Sequence, residues 1–327
     1  MSRQPRVVLL STGGTIAGAA GDATQTTGYR AGELDAATLL AQVPDATALA
    51  HIDVAPLLSL DSKDMSPRHW LLIARTVMAH LARPDCDAVV VTHGTDTLEE
   101  TAWFLHLILP PGKPVILTAA MRPATALSAD GPMNLYQAIA VAASPEAHGK
   151  GVLVVMNDRI HAGAEITKTH TRALDAIDAP ELGPLGSVLP VRFDRAPNLG
   201  TAGQVPIDAL DGHDDLPRVD ILYVAAGADP DLLAEAGLRR ACGVVLALPG
   251  DGSLPTTWHA AAETARIAGV RIVRASRVGR GAVSPAPADA PDLQLPGSGR
   301  LNPSKARIAL MLELATGASA LLAHLSG

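Results

Sequence analysis

Two threonines stand out for where they sit. Residues 7–18 read VVLLSTGGTIAG, an apolar run that fits a buried strand and then stops in a Thr-Gly-Gly-Thr turn. Thr15 follows Gly13 and Gly14, which allow close backbone approach. It lies just past a strand's carboxyl end, where open α/β sheets bind their ligands. Residues 88–101, AVVVTHGTDTLEET, repeat the construction, with Thr95 beyond the strand and Asp96 beside it. A third polar cluster, Ser62 and Lys63, follows a predicted strand over 52–60, and Lys168 stands among threonines in 162–171. Hydroxyls, a carboxylate and ammonium groups at strand ends suit polar chemistry on a bound small molecule. No Gly-Lys-Ser/Thr ending follows the glycines, so a phosphate loop is a poorer reading. On 7–18 alone an ordinary strand-to-loop turn accounts for the pattern; the second segment promotes Thr15. For Lys168 the plain alternative is a solvated surface lysine.

Composition narrows the classes. The chain has 327 residues, enough for two α/β domains with real cores. It is 48% hydrophobic but only 2% aromatic, so the core must be aliphatic, and its net charge is −7 without a Lys/Arg run. That balance argues against nucleic acid or an anionic membrane as partner. Cys86 and Cys242 form no CxxC pair and are expected as small buried residues rather than a disulfide or metal site. The eleven histidines show no HxxxH or HExxH spacing, so no metal is expected. His93, beside the second turn, is expected to be a satisfied buried histidine. No signal peptide or membrane-length apolar run precedes the first strand, which points to a cytosolic protein.

The elements that must hold these groups alternate strand and helix, which calls for a mostly parallel sheet with helices around it. Ser66-Pro67 is a strong helix start, followed by helical spacing to Leu81. A strand over 114–119, a helix from Asp130-Gly131-Pro132 to about 143 and a strand over 151–156 continue the series. Residues 192–217 break the rhythm. Strands over 219–225, 243–248 and 270–275 follow, with helices near 230–236, 256–268 and 304–325. The organisation expected is an α/β catalytic domain over 1–194, a linker over 195–218 and a smaller parallel-sheet α/β domain over 219–327. Tyr29 lies in the glycine-rich loop 19–34, where it reads either as a surface anchor or as a lid residue over the site; the scarcity of tyrosine favours the lid.

These residues resemble one family, the bacterial-type L-asparaginases, which include glutaminase-asparaginases. The resemblance rests on TGGTIAG (12–18) and VTHGTDTLEET (91–101). AMRP (120–123), SADGPMNLY (128–136), TKT (167–169) and LNPSKAR (301–307) support it. It implies hydrolysis of asparagine to aspartate and ammonia through an acyl-enzyme ester on threonine, with no cofactor. The catalytic residues it implies are Thr15, Tyr29, Thr95, Asp96 and Lys168, with Lys168 as base if burial lowers its pKa. Substrate contacts fall to Ser62, Lys63, Thr95 and Asp96, with Ser62 and Asp96 at positions that hold the α-carboxylate and α-ammonium. It further implies two α/β domains and a homo-oligomer, dimer or tetramer, whose sites are shared between subunits.

Three departures matter. Lys63 stands where a glutamine is common, so either it turns to Asp61 or Asp64, or it meets the substrate's ammonium. The loop that commonly lends a glutamate to a partner's site has none over 282–296, where Asp289 is the nearest carboxylate. Residues 109–119 lack the cysteine of disulfide-bearing secreted relatives, in keeping with a cytosolic home. The archaeal-type tRNA amidotransferase subunit shares the signatures with an extra amino-terminal domain, so a free-standing hydrolase is the expectation. An amidase or glutaminase for a related amide, and a non-catalytic binder on the same scaffold, are the alternatives.

Overall fold

The computed structural model describes residues 3–28, 30, 32–286, 293–318 and 322. Tyr29 and Asp289 lie outside the described residues. The chain divides into two compact units, residues 1–207 and 208–327.

The first unit is built on an eight-stranded sheet. Its strands are β1 (Arg6–Gly13), β2 (His51–Leu60), β3 (Ala88–Thr92), β4 (Val115–Thr118), β5 (Val152–Met156), β6 (Arg159–Ala162), β9 (Gly186–Ser187) and β10 (Arg192–Phe193); β7 (Thr167–Lys168) and β8 (Ile177–Asp178) pair separately. The order is β10-β9-β6-β5-β4-β3-β1-β2. From β2 to β5 neighbours run parallel, and β6, β9 and β10 extend the sheet antiparallel. These short strands were not foreseen, because two to four residues carry too little alternation to detect.

β3, β4 and β5 are buried at every position, as expected of parallel strands covered on both faces. The helices are α1 (Ala36–Ala41), α2 (Ala46–Leu49), α3 (Pro67–Leu81), α4 (Leu98–Ile108) and α5 (Gly131–Ala143). α3 begins where Ser66-Pro67 indicated, with a capping box in which His69 takes the third position. One core cluster joins Val7 and Leu9 of β1 to Leu135, Ala138 and Ile139 of α5. On α3 and α4, Trp70 and Phe104 stack with centroids 5.7 Å apart. Part of the aperiodic stretch docks on this unit: Gly203 and Val205 donate to the His106 and Leu107 carbonyls at 2.9 and 3.0 Å.

The second unit holds a parallel sheet of β11 (Val219–Tyr223), β12 (Gly243–Leu248) and β13 (Arg271–Ser276), with α6 (Asp231–Leu238), α7 (His259–Ile267) and α8 (Pro303–Thr316). α8 ends at Thr316, where Gly317 takes a left-handed cap at φ 70° and donates to the Glu313 carbonyl; most of the remainder of the helix expected to 325 lies outside the described residues. The expectation of two buried cysteines is half right. Both are free and Cys86 is buried, but Cys242 is exposed, since it precedes β12 at the rim of the sheet.

Candidate active site

The parallel register of β1 and β3 sets Ser11 opposite Thr92, so both strands end at the same level and the turns that follow lie side by side. Side chains then stitch the turns together. The Thr12 hydroxyl donates to the Thr92 carbonyl at 2.9 Å, and the Thr97 hydroxyl to the Ser62 carbonyl at 2.8 Å. Gly14 N–H donates to the Leu60 carbonyl at the end of β2, at 2.7 Å. The glycines are required by approach as well as by backbone angle. Gly14 has φ +83°, and a Cβ there would come 2.4 Å from Gly94 N. A Cβ on Gly94 would come 2.5 Å from Ser62 Oγ. Three strand ends thus meet through bare backbone, and Thr15, Ser62 and Thr95 converge there.

The convergence lines a cavity of about 490 Å³. Thr15, Ser62, Lys63, Thr95, Asp96 and Lys168 all border it, together with Asp61, Met121, Arg122, Thr171, Arg172 and residues 26–28. Among the expected site residues, only Tyr29 lies outside the described residues, next to that last segment. Thr15 and Thr95 are 8% and 4% exposed, so each hydroxyl reaches solvent only through the cavity.

Lys168 is brought in on β7. Its Nζ donates to Thr95 Oγ1 at 2.9 Å and to Asp96 Oδ1 at 2.5 Å. Its backbone N–H donates to Glu99 Oε2 at 2.7 Å, and the Thr167 hydroxyl donates to the same oxygen. Glu99, in the first turn of α4, thereby pins β7 against the helix. In the sequence Glu99 reads as no more than an acidic residue suited to the first turn of a helix, because its partner lies 69 residues away and leaves no local trace.

Lys63 turns its ammonium to the Asp61 carboxylate while still bordering the cavity. The Asp61 hydrogen bond holds its pKa above the ordinary 10.5, with the charges of Asp61, Asp64 and Asp96 adding to the effect, so it stays a cation. The loop carrying Arg122 is fixed from α5: Asp130 accepts from Met121 and Arg122 N–H, each at 2.9 Å.

Beneath the Thr95 turn, His93 is fully buried and satisfied. Its Nδ1 lies 2.7 Å from the Gly94 carbonyl and must carry the proton, because a carbonyl only accepts. Nε2 then accepts from Thr101 Oγ1 at 2.9 Å, and that hydroxyl accepts from Trp70 Nε1 at 3.1 Å. Burial pushes the His93 pKa down to about 4. Burial also pushes His161 on β6 to about 4, and neither of its ring nitrogens has a hydrogen-bond partner among the described residues.

Both rings are therefore neutral in the folded protein near neutral pH, whereas the unfolded chain protonates them near 6.5. The stability this contributes is fully present above about pH 6.5 and is lost as pH falls toward 4. By pH 5 the expected loss is about 2 kcal/mol per histidine. Urea midpoints at pH 7, 6 and 5 should fall together; a midpoint unchanged across that interval would refute the assignment.

Comparison with known proteins adds the following. A family model described as "Asparaginase, N-terminal" matches residues 6–198, and one described as "Glutaminase/Asparaginase C-terminal domain" matches residues 218–321. L-asparaginase 2 of Bacillus subtilis is 40% identical over 311 residues, which cover 95% of this chain and 82% of that protein. A probable periplasmic L-asparaginase of Haemophilus influenzae is 38% identical over 95% of this chain and 88% of its own. The crystal structure of a probable cytoplasmic L-asparaginase from Campylobacter jejuni superposes with a TM-score of 0.92 at 36% identity, covering 98% of this chain and 99% of that one.

Proposed function

Because the chain belongs to the asparaginase family, we propose that it hydrolyses the side-chain amide of L-asparagine, giving L-aspartate and ammonia. The observation that carries the reading is one cavity bordered by two near-buried threonine hydroxyls, with an ammonium 2.9 Å from one of them.

In this reading the Thr15 hydroxyl adds to the amide carbonyl carbon and loses its proton, with Tyr29 assisting the transfer. The C–N bond then breaks, ammonia takes up a proton, and an ester on Thr15 remains. Water activated by the second set, Thr95 with Lys168 and Asp96, cleaves the ester and restores the hydroxyl. The distance from Lys168 Nζ to Thr95 Oγ1 suits proton transfer between them. Ser62 and Asp96 hold the α-carboxylate and α-ammonium. A homo-oligomer with shared sites, and a cytoplasmic location supported by the exposed free thiol of Cys242, complete the proposal. Incubation with L-asparagine should release one ammonia per aspartate formed; a folded protein that releases none would overturn it.

Lys63 offers a finer test. Lys63→Gln leaves the Asp61 carboxylate unpaired at the cavity edge, so the site gains attraction for an ammonium. KM for asparagine should fall a few-fold, while KM for succinamate, which has no amino group, hardly moves. Equal shifts for both substrates, or none, would show that Lys63 does not read the ammonium.

A further inference from the structure

Residues 26–28 border the cavity that Thr15 and Thr95 share. Gly28 also borders a second cavity of about 360 Å³, together with Gln25, Ala20 and Arg30. Gln25 faces the second cavity and not the first. The segment is therefore a wall one chain thick, with Gln25 behind it.

Most of the loop is tied down without Gln25. Paired hydrogen bonds between Ala19 and Arg30, at 3.0 and 3.2 Å, close its base. Its first arm is held by the neighbouring loop: Thr125 Oγ1 accepts from Ala20 N–H, and Leu127 N–H donates to the Ala23 carbonyl, both at 2.8 Å. Asp22 braces the next turn, accepting from Thr24 N–H at 2.7 Å. Past Gln25 these ties stop. Among the described residues, Thr26, Thr27 and Gly28 take part in only two hydrogen bonds, and Gln25 makes both. Its Nε2 donates to the Thr27 and Gly28 carbonyls at 3.0 and 3.1 Å, while its backbone N–H is fixed on the Asp22 carbonyl at 3.0 Å. A primary amide suits the task, since one nitrogen carries two protons and can serve two carbonyls. Gly28 completes the turn at φ 68°, a left-handed angle that glycine takes without strain.

Each peptide group is planar, so holding two successive carbonyls fixes two successive planes and the direction in which the chain leaves Gly28. The next residue is Tyr29, which the proposed mechanism uses in the proton transfer at Thr15. We propose that Gln25 is a positioning residue for that transfer: by clasping the Thr27 and Gly28 carbonyls it fixes the backbone from which Tyr29 acts. The proposal rests on the amide-hydrolase reading and adds a residue to it.

The test measures kcat and KM for ammonia release from L-asparagine, with thermal unfolding of each protein. The variants are Gln25→Met, Gln25→Lys, Tyr29→Phe and the Gln25→Met/Tyr29→Phe pair. Methionine keeps the length of glutamine and loses both donors; lysine brings donors back at similar reach. A neutral hydrogen bond contributes about two- to tenfold, so Gln25→Met should lower kcat about tenfold and raise KM no more than about threefold. Gln25→Lys should recover most of that loss. The wall is exposed, so no melting curve should move. Tyr29→Phe should lower kcat about a hundredfold or more. On that background Gln25→Met should cost less than about twofold, because residues that act through one another are not additive. The proposal is overturned by an unchanged kcat in Gln25→Met or in Tyr29→Phe, or by a full second loss in the double variant. It is equally overturned if Gln25→Lys recovers nothing, or if the loss of kcat tracks a lowered melting temperature. Absence of ammonia from the wild-type protein instead sinks the hydrolase reading. Calorimetry with L-aspartate then decides the brace by itself: binding a few-fold weaker in Gln25→Met and recovered in Gln25→Lys upholds it, and equal binding in all three overturns it.

Discussion

Thr15→Ala and Thr95→Ala each lower kcat for asparagine by about a thousandfold or more, in a protein that stays folded. The first removes the proposed nucleophile, and the other hydroxyl of that turn, on Thr12, is buried and bound to the Thr92 carbonyl. The second removes the hydroxyl that Lys168 Nζ reaches at 2.9 Å, and general acid–base groups of this kind contribute about 10²–10⁴-fold. Both side chains are small and border the cavity, so their truncation opens no large void in the core. Thr15→Ser keeps the hydroxyl and should be markedly milder. Steady-state ammonia release, paired with thermal unfolding of each variant, checks the expectation. Either alanine variant retaining near wild-type kcat with an unchanged melting curve would remove that threonine from the mechanism.

Gly14→Ala should cost about a hundredfold in kcat/KM, although it deletes no functional atom. A Cβ at Gly14 would sit 2.4 Å from Gly94 N and 2.7 Å from His93 C, all of it backbone that cannot rotate away. The turn bearing Thr15 and the turn bearing Thr95 must then part, and a displacement near 1 Å between reacting groups is worth about 10²-fold. The positive φ adds a strain of about 1–3 kcal/mol. Gly149→Ala separates the two effects. Gly149 has φ +70° with nothing within 4 Å of the added carbon, so that variant should lose stability and keep its kcat. Comparable kcat/KM losses in both variants, or full activity in Gly14→Ala, would defeat the argument.

Legibility from sequence followed locality. The strand ends before Thr15 and Thr95 were readable because a β-branched or apolar run and its glycine turn are adjacent in the chain. The start of α3 was readable because its cap and proline signal within two residues. Lys168 drew notice only for the threonines around it, and only the family resemblance made it a candidate. What brings it to Thr95 is the grip of Glu99 on β7, and that pairing is tertiary. Arg172 gave no signal, because it lies just past the TKT segment in an exposed loop that reaches the cavity only once β7 and β8 pair. β9 and β10 are two residues each, held by backbone pairing that no side-chain pattern announces.

The hydrogen-bonded chain under the Thr95 turn begins at a fluorophore. Trp70 is one of three tryptophans in the protein, buried in α3, and its indole N–H is bound to Thr101. From there two more hydrogen bonds, through His93, lead to the Gly94 carbonyl next to Thr95. Any ligand that shifts that turn must strain or relax the bond on the indole and so change its emission. The floor of the site therefore carries an intrinsic reporter: a change in tryptophan emission on ligand binding, lost in Trp70→Phe, is the expected sign of occupancy at Thr95, with no label attached and no product formed.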